Sequence, residues 1–141
     1  MIVLDTSVVI AAMNDRDDDH ELARPWMETQ RELLLCTPLV VAELDHMVLA
    51  LGGRAAARGL REDLASGAYQ VEWWATAIHE TIALAERHES MELGLTDASL
   101  LALAARLDTT RIATLDERHF RALRPQSGAD AFTLLPADAT P

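Results

Sequence analysis

Lysine is absent from this 141-residue chain, and all 12 of its basic residues are arginines. Every mechanism that needs a lysine ammonium or a Schiff base is thereby excluded. Cysteine is almost absent as well. The lone Cys36 has no partner for an internal disulfide and lies in the apolar run 33–37, where a small buried thiol is the ordinary reading. No apolar run approaches the roughly 20 residues that span a bilayer. The opening MIVLDTSVVI has no basic flank and carries an acid, unlike a secretion signal. The expectation is a soluble, cytoplasmic protein with no membrane contact. Aromatics are few, and Trp26, Tyr69, Trp73 and Trp74 are read as filling the core or a dimer face rather than as platforms for stacked bases. Positive charge is scarce too: 23 acids leave a formal net charge of −11, which repels a phosphate backbone and excludes a basic groove of ordinary size. The repulsion reverses if several acids converge on divalent cations, which are often the largest local charges. Acidic surface also suits a basic partner.

What is present is regular alternation. Residues 2–4 form a short β-branched run that stops at Asp5-Thr6-Ser7, a set of helix-capping residues ahead of 8–13. The polar stretch 14–21 leads into a helix through Arg31, and 33–37 reads as a buried strand ended by Pro38, which is well placed to open a helix. That helix carries Val40, Val41, Leu44, Met47, Val48 and Leu51 at helical spacing and meets a stop at Gly52-Gly53. A second helix covers 54–65, a short strand 69–73, and a third helix 75–89. A clear helix follows Gly94-Leu95-Thr96 through Leu107. Residues 111–115 then read as a strand, 116–123 as a helix and 132–135 as a last strand. Strands alternating with helices predict a three-layer α/β/α domain with a central, mostly parallel sheet, its site beyond the carboxyl ends of the strands. One domain covers 1–136, and 137–141 is a tail.

Four acids stand out. Asp5 and Asp116 each follow a short apolar strand, so both project from one edge of a parallel sheet. Glu43 lies three residues after Val40 and four before Met47, on an inward face of its helix. Asp97 opens the helix carrying Leu100, Leu101 and Ala104. Singly, each acid reads as a cap or a favourable first-turn charge. Together they describe a cluster. Two carboxylates ~4 Å apart repel by roughly 4 kcal/mol at an effective dielectric near 20, a penalty that a divalent cation removes. Oxygen donors favour a hard ion, Mg²⁺ first and Mn²⁺ as a substitute. His20, His46, His79, His88 and His119 are too scattered for a zinc spacing and read as surface or partly buried side chains. The acid run 15–21 reads as a solvated turn, and Met13, Met27 and Met47 as core.

The segments MIVLDTSVVIA, PLVVAELDHMVLALGG, LTDASLLALAARL and IATLDERHF together resemble the PIN-domain ribonucleases, especially the VapC-type toxins of type II toxin–antitoxin systems, over essentially the whole chain. The resemblance implies that Asp5, Glu43, Asp97 and Asp116 are the catalytic, metal-binding quartet and that Thr6, Ser7 and Thr114 are supporting hydroxyls. It also implies a Mg²⁺-dependent endoribonuclease acting on structured cellular RNA through a metal-activated water. Its partners would be a second copy of itself and a cognate antitoxin with a basic blocking segment, in a higher assembly. Phosphatases and phosphoacceptor receivers that begin with a strand ending in Asp are excluded, because both need a lysine and the phosphatases also want an acid where Ser7 stands. The alternative in another class is a noncatalytic module of the same fold that binds only its partner.

Overall fold

The computed structural model describes residues 1–139. Five short strands form one sheet: β1 (Ile2–Leu4), β2 (Leu34–Cys36), β3 (Gln70–Val71), β4 (Arg111–Ala113) and β5 (Thr133–Leu135). Their order is β3-β2-β1-β4-β5, with every pairing parallel. β1 is central and wholly buried, which explains why it reads as an unbroken apolar run rather than an alternation. The chain moves from β1 to β2 to β3 on one side and then crosses to β4 and β5 on the other. The strand order therefore reverses between β1 and β4, the switch point where open parallel sheets place their ligand sites.

Six helices cover the sheet: α1 (Thr6–Met13), α2 (His20–Thr29), α3 (Pro38–Ser66), α4 (Ala77–Arg87), α5 (Leu95–Arg106) and α6 (Glu117–Ala122). α1 packs on α2 and α3, and α4 on α5. Right-handed crossovers send the first three to one face and the last three to the other, the expected three layers. Leu44, Leu60, Leu100, Leu103, Ile112, Phe120 and Leu134 are among the fully buried side chains that join the layers. No helix among the described residues is long and apolar enough to cross a membrane.

The expected stop at Gly52-Gly53 is a break that divides α3 into the two helices the sequence predicts. Gly53 has φ 76 and ψ −167, a conformation essentially restricted to glycine, and the helix resumes beyond it. β1 has its expected bounds, and the other four strands are shorter than expected by one to three residues each. Met13, expected in the core, is 43% exposed at the end of α1, whereas Met27 and Met47 pack against the core. The expected tail is, through Ala139, a turn folded back on β5. The Asp138 amide donates to Leu134 O at 2.7 Å, and its carboxylate accepts from the Leu134 amide at 2.8 Å and from Arg121 Nη2 at 2.7 Å. Residues 140 and 141 of that tail lie outside the described residues.

Candidate metal centre

β1 and β4 end side by side, and the two motifs that follow them lock together around Asp5. The Asp5 carboxylate, only 6% exposed, accepts from the Thr6 amide at 2.7 Å on Oδ1, and from Ser7 Oγ at 2.6 Å and Thr114 Oγ1 at 2.8 Å on Oδ2. Each hydroxyl is itself held from the far side: the Leu115 amide donates to Ser7 Oγ and the Asp116 amide to Thr114 Oγ1, both at 3.0 Å. Ser7 and Thr114 thus relay backbone donors of the β4–α6 turn onto a carboxylate of the β1–α1 turn. Thr6 reaches Asp5 through its backbone amide, and its buried hydroxyl has no hydrogen-bond partner.

Asp116 caps α6. One carboxylate oxygen accepts the His119 amide at 3.2 Å, and the other lies 2.8 Å from His119 Nδ1. Asp97 stands in the first turn of α5, partly buried. Burial pushes its carboxyl up to about 6, and repulsion from Asp5, Asp116 and, more weakly, Glu43 adds to the rise, with His119 opposing it. Glu43 is on α3, partly buried, and belongs to the same field. A buried pair ties the two helices that carry Glu43 and Asp97. Ser99 Oγ donates to Thr96 O at 2.6 Å, so its lone pair receives the Thr37 hydroxyl at 2.7 Å, while Thr37 Oγ1 accepts the Val40 amide as the cap of α3.

Of the four acids predicted from the sequence, Asp97 and Asp116 share a metal-sized group among the described residues, and Asp5 and Glu43 act on Asp97 through their charge. His119 is partly buried, within the sequence expectation of a surface or partly buried side chain. The structure also brings one ring nitrogen of His119 and one oxygen each of Asp97 and Asp116 within 4.8 Å of one another. Its signal was the three-residue step after Asp116, a spacing that brings two side chains together on a helix. The donor set of carboxylates and one imidazole, with a carboxyl driven upward by its like-charged neighbours, fits a divalent cation.

Beside the centre opens a groove of ≈ 440 Å³ lined by Ser7, Ile10, Asp17, Asp19, Met47, Leu115 and Asp116, so part of the acid run read as a solvated turn edges the mouth. The aromatics take structural parts. Arg106 stacks over Trp74 at 5.0 Å, Trp74 Nε1 donates to Glu80 at 3.0 Å, and Tyr69 and Trp26 pack on the core. Of the basic residues after Asp116, Arg121 is paired with Glu117 and Asp138, while Arg118 is exposed without an ion pair among the described residues.

A parallel sheet with an acidic centre at its switch point defines the class, and the chain belongs to the PIN-domain family, whose model matches residues 2–124. Within that family it is of the VapC type, 33% identical over 136 residues to the ribonuclease VapC26 of Mycobacterium tuberculosis, covering 96% of this chain and all of that one. Its fold is shared with the crystal structure of M. tuberculosis VapC20, a sarcin–ricin-loop-cleaving toxin, at a TM-score of 0.76 and 21% identity over 82% of this chain and 90% of that one. FitAcB from Neisseria gonorrhoeae superposes less closely, at a TM-score of 0.57 and 23% identity over 83% and 88% of the two chains.

Proposed function

We propose that this protein is the toxin of a toxin–antitoxin pair and a Mg²⁺-dependent endoribonuclease, with residues 1–136 as its nuclease domain and Asp5, Glu43, Asp97 and Asp116 as its catalytic, metal-binding residues. The observation that carries this reading is the convergence of those acids on Asp97, whose carboxyl is raised to about 6 by burial and by its neighbours. In this reading Asp5 and Asp97 are the principal ligands, and Glu43 and Asp116 hold a second ion or coordinate through water. When bound, the cation supplies charge neutralisation at the scissile phosphate and a water activated for attack. Ser7, Thr114 and the Thr6 amide do the orienting. They occupy one edge of the Asp5 carboxylate and hold it against rotation, which preorganises the centre at no cost during reaction. No side chain acts as nucleophile, consistent with the absence of lysine and the deep burial of Cys36, whose thiol burial pushes up to about 11. Arg118, exposed one turn from Asp116, is the proposed contact for RNA phosphate.

The partners follow from charge. A net charge of −11 and a mouth edged by Asp17, Asp19 and Asp116 suit an antitoxin segment that presents arginines to the carboxylates. The toxin itself is proposed to be a homodimer within a larger toxin–antitoxin assembly, acting in the cytoplasm.

The test is cleavage of structured RNA by the purified chain, with the sarcin–ricin loop cut by VapC20 as the first substrate. Cleavage should vanish in chelator, return with Mg²⁺ or Mn²⁺, and fall on the order of 10²-fold or more in Asp5→Asn with native circular dichroism. Chelator-insensitive cleavage by wild type, or a wild-type rate in Asp5→Asn, overturns the mechanism. A chain that captures its antitoxin but cuts no RNA with either metal is instead the noncatalytic module.

A further inference from the structure

Among the described residues, His119 is the one histidine grouped with the carboxylates. Its Nδ1 lies 2.8 Å from Asp116 Oδ2, and its backbone is held by the other oxygen of the same carboxylate. An ionised carboxylate only accepts, so this contact puts a proton on Nδ1 and leaves the lone pair of the neutral ring on Nε2. An imidazole that donates one ring N–H to a carboxylate and keeps the other nitrogen free has the arrangement of a metal-ligating histidine, because the carboxylate fixes both tautomer and ring orientation. The side chain is half-buried, at 40% exposure, so the ring is constrained on one side and reachable from solvent on the other. One ring nitrogen of His119 and one oxygen of Asp97 lie within 4.8 Å of each other, close enough for a single ion to draw both side chains together.

We propose that His119 is a nitrogen ligand of this centre, through Nε2, and that it biases the centre toward Mn²⁺ over Mg²⁺. The inference rests on the carboxylate centre proposed above and adds to it one donor and the metal preference that follows. Mg²⁺ takes oxygen donors and sheds its waters reluctantly, whereas first-row transition ions accept imidazole. The carboxylates bind either ion, and the imidazole strengthens only the binding of Mn²⁺.

The experiment measures metal binding, independent of RNA, on the purified full chain. Pulsed electron paramagnetic resonance of bound Mn²⁺ should show the nitrogen modulation of a directly coordinated imidazole in wild type. The signal should disappear in His119→Ala and in His119→Gln, the second of which keeps an amide that can donate to Asp116. Titration calorimetry should show a roughly tenfold or larger loss of Mn²⁺ affinity in both variants, with Mg²⁺ affinity changed less than about threefold. No nitrogen modulation in wild type, or equal losses for the two ions, overturns the assignment and reduces His119 to a hydrogen-bond partner of Asp116. Asp97→Asn separates the levels of the claim. If it abolishes Mn²⁺ binding while wild type shows no nitrogen signal, only the His119 ligand fails. Should Mn²⁺ binding survive unchanged in Asp97→Asn, the carboxylate centre fails with it.

Discussion

Asp97, a proposed metal ligand, is a side chain that costs the fold stability. Its carboxyl is raised from the ordinary 3.8 to about 6, first by burial and then by Asp5 and Asp116. A carboxyl raised in the folded state prefers its proton there. The stability it contributes is therefore complete below about pH 4 and is lost as pH climbs through about 6. A rise of that size is worth about 3 kcal/mol at full strength, and partial exposure to solvent reduces this to about 1 kcal/mol. Asp97→Asn should consequently melt about 3 °C higher than wild type at pH 7.5 in chelator. It should match wild type near pH 4, where both side chains are neutral, and show a flatter pH profile between. A variant no more stable than wild type at pH 7.5 would mean that the acids do not crowd Asp97. Asp5 is built the opposite way, with three donors committed to it. Residue type alone made both acids candidates, but what surrounds them depends in part on distant neighbours, Thr114 for Asp5 and Asp5 for Asp97, which no local pattern encodes.

At the scale of elements, α3 and α5 must keep a set distance if Glu43 and Asp97 are to share a centre. The Thr37–Ser99 hydroxyl pair holds it, whereas the bend at Gly53 redirects α3 only beyond its Glu43 half. An added Cβ at Gly53 meets no atom within 4 Å, so the penalty of Gly53→Ala is purely conformational, about 1–3 kcal/mol. Chemical denaturation should show that loss, and the midpoint of Mg²⁺ titration should stay unchanged, because the bend lies ten residues beyond Glu43. A shifted metal midpoint would show that the bend itself places the carboxylate. Helix starts and the glycine break were legible because capping residues, Pro38 and paired glycines act within one turn of the chain. The helix past the break was legible too, but not which of its residues are buried, since Ala57 and Leu60 find their places in a core that only the assembled layers provide.

For the molecule as a whole, like charges gathered at one edge are balanced by what binds there. The folded chain concentrates carboxylates that the unfolded chain separates, so a divalent cation binds the native state preferentially and stabilises it by RT ln(1 + [L]/Kd), about 2.7 kcal/mol at 100 times Kd. Thermal unfolding at matched ionic strength should rise by several degrees with Mg²⁺ or Mn²⁺ over chelator, and by much less in Asp97→Asn. An identical response in the two proteins would place the ion elsewhere. The same charge balance explains how a chain of net charge −11 is reconciled with a nucleic-acid substrate. In the proposed reading the repulsion is local, and a bound ion would relieve it for a phosphate substrate.

The sequence by itself determined the alternation of strand and helix, the parallel sheet and the four acids, because hydrophobic period, caps and a strand's last residue are written within a few positions of one another. Tertiary structure decided what surrounds those acids. It placed Thr114 on Asp5 across the β1/β4 switch, left the Thr6 hydroxyl unpartnered, folded residues 137–139 back through Arg121, and brought His119 into the carboxylate cluster. Each of these is a contact between segments or side chains whose meeting depends on strand order and on the direction in which a helix leaves its cap. Such contacts are set by packing across the sheet rather than by spacing along the chain.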